Sequence, residues 1–184
     1  MTHQRVHIRW KYWYSFIFLR CKIDIDMNSE IAYPAKYDPS KSYVYTRNEI
    51  EINSSPEKVW FWLTSATSWP QWYSKVSRVL IINQHSNHLL AGTKFMFKTF
   101  GSRIMAAVTE FSPYERLAWT VKGLGIIGYH AWLIIPTTNG CKVITEETQK
   151  GWLSKIGKFM VLHRIDKYDR FWLERLKTRA EKDR

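Results

Sequence analysis

Five consecutive stretches of this chain alternate apolar and polar residues, and the parity agrees across every turn that joins them. Successive side chains of a strand point to opposite faces, so a one-residue slip at any hairpin would mix the two sets. The agreement therefore predicts one curved antiparallel sheet with a single lined face. Thr137-Thr138-Asn139-Gly140 reads as a hairpin loop ending in Asn-Gly, which favours positive φ. Closing it with Pro136 facing Cys141 sets Ile134 opposite Val143, Trp132 opposite Thr145 and His130 opposite Glu147. Upstream, a two-residue turn at Phe100-Gly101 pairs Phe97 with Ile104, Phe95 with Ala106 and Thr93 with Val108. A turn at Pro113-Tyr114 pairs Val108 with Trp119, Ala106 with Val121 and Glu110 with Leu117. The Gly123-Leu124-Gly125 connector then brings Trp119 beside His130. One face collects Phe95, Phe97, Ile104, Ala106, Val108, Trp119, Val121, His130, Trp132, Ile134, Val143, Thr145 and Glu147. The other carries mostly Lys, Arg and Thr, but also Met96, Met105, Tyr129 and Leu133.

The flanking segments supply the second layer. Tyr43–Asn53 alternates as a first strand, with Val44, Thr46, Asn48, Ile50 and Ile52 on one side. Ser54-Ser55-Pro56-Glu57 carries a cap, a first-turn proline and an acidic residue, so a helix is predicted over about Pro56–Leu63. A second short helix is expected around Trp69–Tyr73, then a strand over Ser74–Asn83. Trp152–Ala180 has apolar residues near helical period in two sets. One runs through Ile156, Phe159, Met160, His163 and Phe171, the other through Ile165, Tyr168, Trp172 and Leu176. A long helix with no partner of similar size must pack on the lined face of the sheet.

A chain of 184 residues can bury one full core, and 45% hydrophobic residues is a globular composition. Ten tryptophans and 16% aromatic residues suit either a large core or a cavity walled by rings. Net charge is +12, which permits attraction to nucleic acid or anionic membrane. The last helix nevertheless mixes ten Lys/Arg with five Asp/Glu after Gly151, the pattern of a solvated face. No nucleic-acid-binding signature is present, so no specific nucleic-acid partner is expected. Cys21 and Cys141 are widely separated and imply neither a disulfide framework nor a metal site, which makes a reducing, cytoplasmic compartment the default. Residues 1–42 read as an irregular extension, with 43–184 as the domain. Basic residues 2–11 precede the apolar run Tyr12–Leu19, which is too short for a bilayer span of about 20 residues. Membrane contact is expected only through this basic extension, and translation starting at Met27 would leave residues 1–26 outside the natural protein.

Ser55-Pro56-Glu57-Lys58-Val59-Trp60 and Trp69-Pro70-Gln71-Trp72 resemble the opening of the polyketide cyclase/dehydrase and lipid-transport superfamily, the START-like or SRPBCC proteins. So do Val108-Thr109-Glu110-Phe111-Ser112-Pro113 leading to Arg116-Leu117-Ala118-Trp119, and Gly128–Gly151 with its His-x-Trp step and closing Gly. Gly140-Cys141 and Gln149 stand where members often have Gly-Thr and a Phe. The resemblance covers about residues 43–180. It implies an α+β helix-grip fold, a curved antiparallel seven-stranded sheet around a long C-terminal helix with two short helices after the first strand. It also implies a cavity for a small hydrophobic ligand, with no cofactor and no single reaction.

His130 and Glu147 are the candidate catalytic residues, able to polarise a carbonyl or move a proton. The same pair can simply satisfy itself across two strands. The expected ligand pocket consists of Phe95, Phe97, Ile104, Ala106, Val108, Trp119, Val121, His130, Trp132, Thr145 and Glu147, joined by Met160 and His163 from the helix. Trp69 and Trp72 are placed at the pocket mouth, as a flap or as a plug. His85 and His88 fall in a polar loop and are expected to face solvent. Three functions stay open: a carrier or sensor of a hydrophobic molecule, a cyclase/dehydratase-like enzyme acting through His130 and Glu147, and an interaction module whose cavity its own side chains fill.

Overall fold

The computed structural model describes residues 30–182, so the expectations for residues 1–29, including Cys21, the basic extension and the Met27 start, lie outside the described residues. Seven strands form one antiparallel sheet: β1 (Val44–Ile52), β2 (Ser77–Ile81), β3 (Lys94–Thr99), β4 (Ser102–Ser112), β5 (Arg116–Gly123), β6 (Ile126–Thr137) and β7 (Gly140–Lys150). Their order is β1-β7-β6-β5-β4-β3-β2. Helices α1 (Pro56–Thr64) and α2 (Trp69–Trp72) connect the two edge strands β1 and β2, while α3 (Trp152–Ile156) and α4 (Lys158–Lys182) follow β7. This is the α+β helix-grip arrangement.

The ladder registers follow from the hairpins. Phe100 and Gly101 both adopt positive φ, the conformation of a tight two-residue turn, and Phe97 faces Ile104 beyond it. His130 faces Glu147, Trp132 faces Thr145, and Trp119 faces His130. One register departs from expectation. Glu110 pairs with Ala118, not Leu117, because the β4–β5 turn takes three residues with Tyr114 at φ 67, and a bulge between Val108 and Glu110 absorbs the extra one. The bulge has a use in packing. It puts Phe111 opposite Leu117 and against the Trp60 ring at 5.1 Å, and leaves Glu110 to pair with Arg116 at 2.8 Å.

The polar outer face is not bare. Residues 31–41 run over it, through two turns of 3₁₀ helix, and Tyr37 stacks on Tyr129 at 5.5 Å. Ile31 and Tyr33 pack against the same cluster with Ala118 and Ala131. Glu146, buried on this side, accepts from Tyr33 and Arg47. Of the apolar outliers of the outer face, Tyr129 thus gains a cover from the lead-in segment, while Met105 stays exposed.

The last helix is interrupted. Gly157, a poor helix former, separates α3 from α4 where a continuous helix was expected. Of its two apolar sets, the one through Ile165 and Trp172 is the core stripe, completed by Asp169, Leu173, Leu176 and Ala180. Most of the other set faces solvent, with Ile156, Phe159 and Met160 69–84% exposed, while Phe171 is half-buried against Tyr73. Gly151 holds the corner between β7 and α3 at φ 117, where an added Cβ would lie 2.2 Å from the Gly125 carbonyl oxygen. Only glycine allows that approach.

Candidate functional site

Three elements meet at the centre of the concave face. His130 comes from β6, Glu147 from the facing position of β7, and Asp169 from the core stripe of α4. Their donor atoms, one per residue, all lie within 4.8 Å of one another. His130 Nδ1 is 3.5 Å from Glu147 Oε2, and His130 Nε2 is 4.0 Å from Asp169 Oδ1. His130 and Asp169 are 4% and 3% exposed.

Each group is oriented from behind by one polar neighbour. Thr145 Oγ1 donates to the Ala131 carbonyl at 3.2 Å, so it accepts from His130 Nε2–H at 2.8 Å, an assignment made from the hydrogen-bond pattern. That leaves Nδ1 unprotonated toward Glu147. Gln149 Nε2 donates to Glu147 Oε1 at 2.6 Å, and Thr46 Oγ1 donates to Asp169 Oδ2 at 2.8 Å. Glu147 Oε2 and Asp169 Oδ1 are the oxygens left toward the imidazole.

Aromatic rings wall this cluster. The imidazole lies 5.0 Å from the Trp119 ring, stacks on Trp132 at 5.0 Å and meets the edge of Trp172 at 5.6 Å. Burial among them pushes the His130 pKa down to about 3, so the ring is neutral. Burial likewise raises Glu147 to about 7, and raises Asp169 well above its ordinary range with the nearby Glu147 charge adding to it. At neutral pH the pair holds protons that ordinary carboxyls would have lost.

The cluster opens on a chamber of about 60 Å³ lined by Phe97, Ile104, Val121, Ile126, Ile165 and Trp172 among others. At about 10–15 Å³ per water, that is room for a few waters or one polar head group. The chamber shares Thr99, Phe100, Ile104, Ile126, Gln149 and Ile165 with an outer groove of about 340 Å³. The groove is largely apolar, with Leu124, Leu153, Ile156, Met160 and Val161 along its sides. Among the described residues, neither Lys nor Arg lines the inner chamber.

Placement of the expected site residues is uneven. Phe97, Ile104, Val121, His130 and Glu147 line the chamber, and Met160 lines the outer groove. Phe95, Ala106, Val108, Trp119, Trp132 and Thr145 are buried behind the wall. His163 must be corrected: it lies on the exposed side of α4, beside Lys167 and Lys75, away from both spaces. The mouth assigned to Trp69 and Trp72 is also corrected. Trp69 is fully buried, donates Nε1–H to the Leu63 carbonyl at 3.1 Å and packs against Phe95, Trp119 and Trp172, while Trp72 belongs to the same core. They plug one end of the concavity, and the opening lies instead at α3 and the Phe100 turn. Asp169 was not anticipated. Its signal was present, because a carboxylate inside an apolar helix stripe is almost never buried without a partner.

Residues 44–181 match the family model described as polyketide cyclase / dehydrase and lipid transport. The chain belongs to this family. Among solved structures, it is similar to a hypothetical protein from Helicobacter pylori, at 27% identity and a TM-score of 0.77, over 83% of this chain and 96% of that one. It is also similar in fold to a START superfamily protein from Mycobacterium smegmatis, at 14% identity and a TM-score of 0.65, over 76% of this chain and 99% of that one. A third likeness is to the di-domain ARO/CYC StfQ from the steffimycin biosynthetic pathway, at 16% identity and a TM-score of 0.64. It covers 76% of this chain and 51% of that one, so the chain spans about half its length. No curated protein matches significantly. The family match spans the whole sheet and the last helix, and the likeness to the START superfamily protein is one of fold. Among the described residues, no helix is long and apolar enough to cross a membrane.

Proposed function

We propose that the protein is a carrier or sensor that binds a small amphiphile, with its apolar body in the outer groove and one hydrogen-bonding head in the inner chamber. The observation that carries this reading is the continuity of the two spaces: an apolar groove of ligand-sized volume ends at a buried polar cluster. A head bearing a carbonyl or hydroxyl oxygen finds donors there in protonated Glu147 or Asp169, and Trp172 Nε1 is a further buried donor with no acceptor among the described residues. The side chains of the core fill much of the concavity but leave the groove open, which weighs against a wholly plugged interaction module.

The test is native mass spectrometry on freshly purified full-length protein, followed by titration with the apolar dye anilinonaphthalene sulfonate. A bound small organic mass, or one dye per chain, is expected. Ile126→Trp, which places a bulky ring where chamber and groove join, should abolish both while leaving the circular dichroism spectrum intact. Neither bound mass nor dye binding in the unsubstituted protein would refute the reading.

A second reading is favoured by one contact. Glu147 sits 3.5 Å from an unprotonated imidazole nitrogen, a geometry for relaying a proton to a bound carbonyl compound. The likeness to a di-domain ARO/CYC protein carries the fold alone at 16% identity. His130→Ala separates the two readings: a carrier keeps its ligand, whereas an enzyme keeps ligand and loses turnover.

A further inference from the structure

We infer that His130, Glu147 and Asp169 form a binding site for a divalent transition-metal ion of the Zn²⁺ type, with its open coordination position facing the inner chamber. This goes beyond ligand carriage, and it was invisible as a sequence spacing because the three donors come from β6, β7 and α4.

The donor set fits. One neutral imidazole and two carboxylates are a borderline-hard N/O set that suits such ions. Each donor is already held on its far side. Thr145 occupies His130 Nε2, Gln149 occupies Glu147 Oε1, and Thr46 occupies Asp169 Oδ2. That leaves Nδ1, Oε2 and Oδ1 as the available atoms, the arrangement by which outer hydrogen bonds aim metal ligands. Asp169 is 97% buried, and its Oδ1 lies 4.0 Å from His130 Nε2, beyond hydrogen-bond distance. Ligand atoms around a four-coordinate ion sit ~3.4 Å apart, from bond lengths of ~2.0–2.2 Å. His130 Nδ1 and Glu147 Oε2 are 3.5 Å apart at present, and donor atoms of the three residues, one from each, lie within 4.8 Å of one another, so side-chain shifts of about 1–1.5 Å bring them to that spacing.

Charge balance points the same way. Once ionised, the two buried carboxylates would need a compensating charge, and among the described residues no Lys or Arg lines the chamber to supply it. A divalent cation bound by both carboxylates and a neutral imidazole leaves the site with no net charge. The groove supplies the entry path, through the residues it shares with the chamber. Three protein ligands with an open position would let an oxygen of the bound amphiphile complete the shell.

The test uses Co²⁺ and Zn²⁺ with chelator-treated full-length protein. Trp119, Trp132 and Trp172 lie 5.0–5.6 Å from the imidazole, so Co²⁺ in the site should quench their fluorescence at one ion per chain, and diamagnetic Zn²⁺ should restore it by competition. Asp169→Asn should abolish the quenching. Thr46→Val, which keeps all three ligands and loses only an orienting hydrogen bond, should weaken Co²⁺ about 10–100-fold. His88→Ala removes a half-buried imidazole outside the cluster, in contact with Phe61 and the Ser65 and Thr64 hydroxyls, and should leave the quenching unchanged. Absence of quenching, quenching that survives Asp169→Asn, or quenching lost in His88→Ala would each overturn the proposal. Because metal is titrated without amphiphile, and bound amphiphile is read by mass in protein stripped of metal, failure of one reading is distinguishable from failure of the other.

Discussion

Replacing Glu147 by Gln should stabilise the metal-free protein at alkaline pH and leave it nearly unchanged near pH 4.5. Gln keeps the shape of Glu, can still accept from Gln149, and can donate to His130 Nδ1. What changes is the cost of a buried charge. Burial lifts the Glu147 pKa from 4.5 to about 7. A group whose folded pKa is raised contributes most below its unfolded value, and that contribution is lost as pH rises through the folded value. Below pH 4.5 the carboxyl is neutral in both states and Gln offers no advantage. Above about pH 7 the folded protein must hold an ionised carboxylate in its core, which costs about 3 kcal/mol for a shift of this size. Asp169, raised by burial and then by Glu147, adds to the difference in the same direction. His130 is common to both proteins and cancels to first order. The assay is urea unfolding of both proteins in chelator at pH 4.5 and about pH 8. The variant's advantage should grow by about 1–3 kcal/mol between the two, and to rise through the interval 4.5–7. A difference that stays flat, or that grows toward acid, would refute the account of Glu147 as a desolvated acid.

Further outcomes follow from packing. Trp69→Ala should cost about 3–5 kcal/mol in urea unfolding, because it empties the centre of the aromatic core and strands the Leu63 carbonyl. Gly151→Ala should cost about 2–4 kcal/mol, since neither its φ of 117 nor the 2.2 Å approach to the Gly125 backbone tolerates a Cβ. Tyr37→Ala should cost about 1–2 kcal/mol by uncovering Tyr129 on the outer face, with dye titration of the groove unchanged. A groove response to Tyr37→Ala would show that the outer cover and the ligand space are coupled.

Much of the sheet was legible because hairpin registers are local. Two turn residues and strict alternation fix which side chains share a face, and His130, Glu147, Trp132 and Thr145 could be set together before any coordinates. The Glu110 register was not legible, since Pro113-Tyr114 reads equally well as part of a two- or three-residue turn. What settles it is the gain from turning Phe111 toward Trp60 and Glu110 toward Arg116.

The sequence by itself determined the strand order along each hairpin, the lined face and the presence of a terminal helix, all properties of neighbours within a few dozen residues. Tertiary structure alone decided which stripe of that helix enters the core. Two stripes had helical period, and docking on the concave face buries Ile165, Trp172 and Leu176 while leaving Phe159 and Met160 in solvent. That choice rotates Asp169 against His130 and Glu147, and turns His163 away. The rotation of a helix about its own axis is set by contacts far away in sequence, and so a polar cluster assembled from two strands and a helix became readable only in three dimensions.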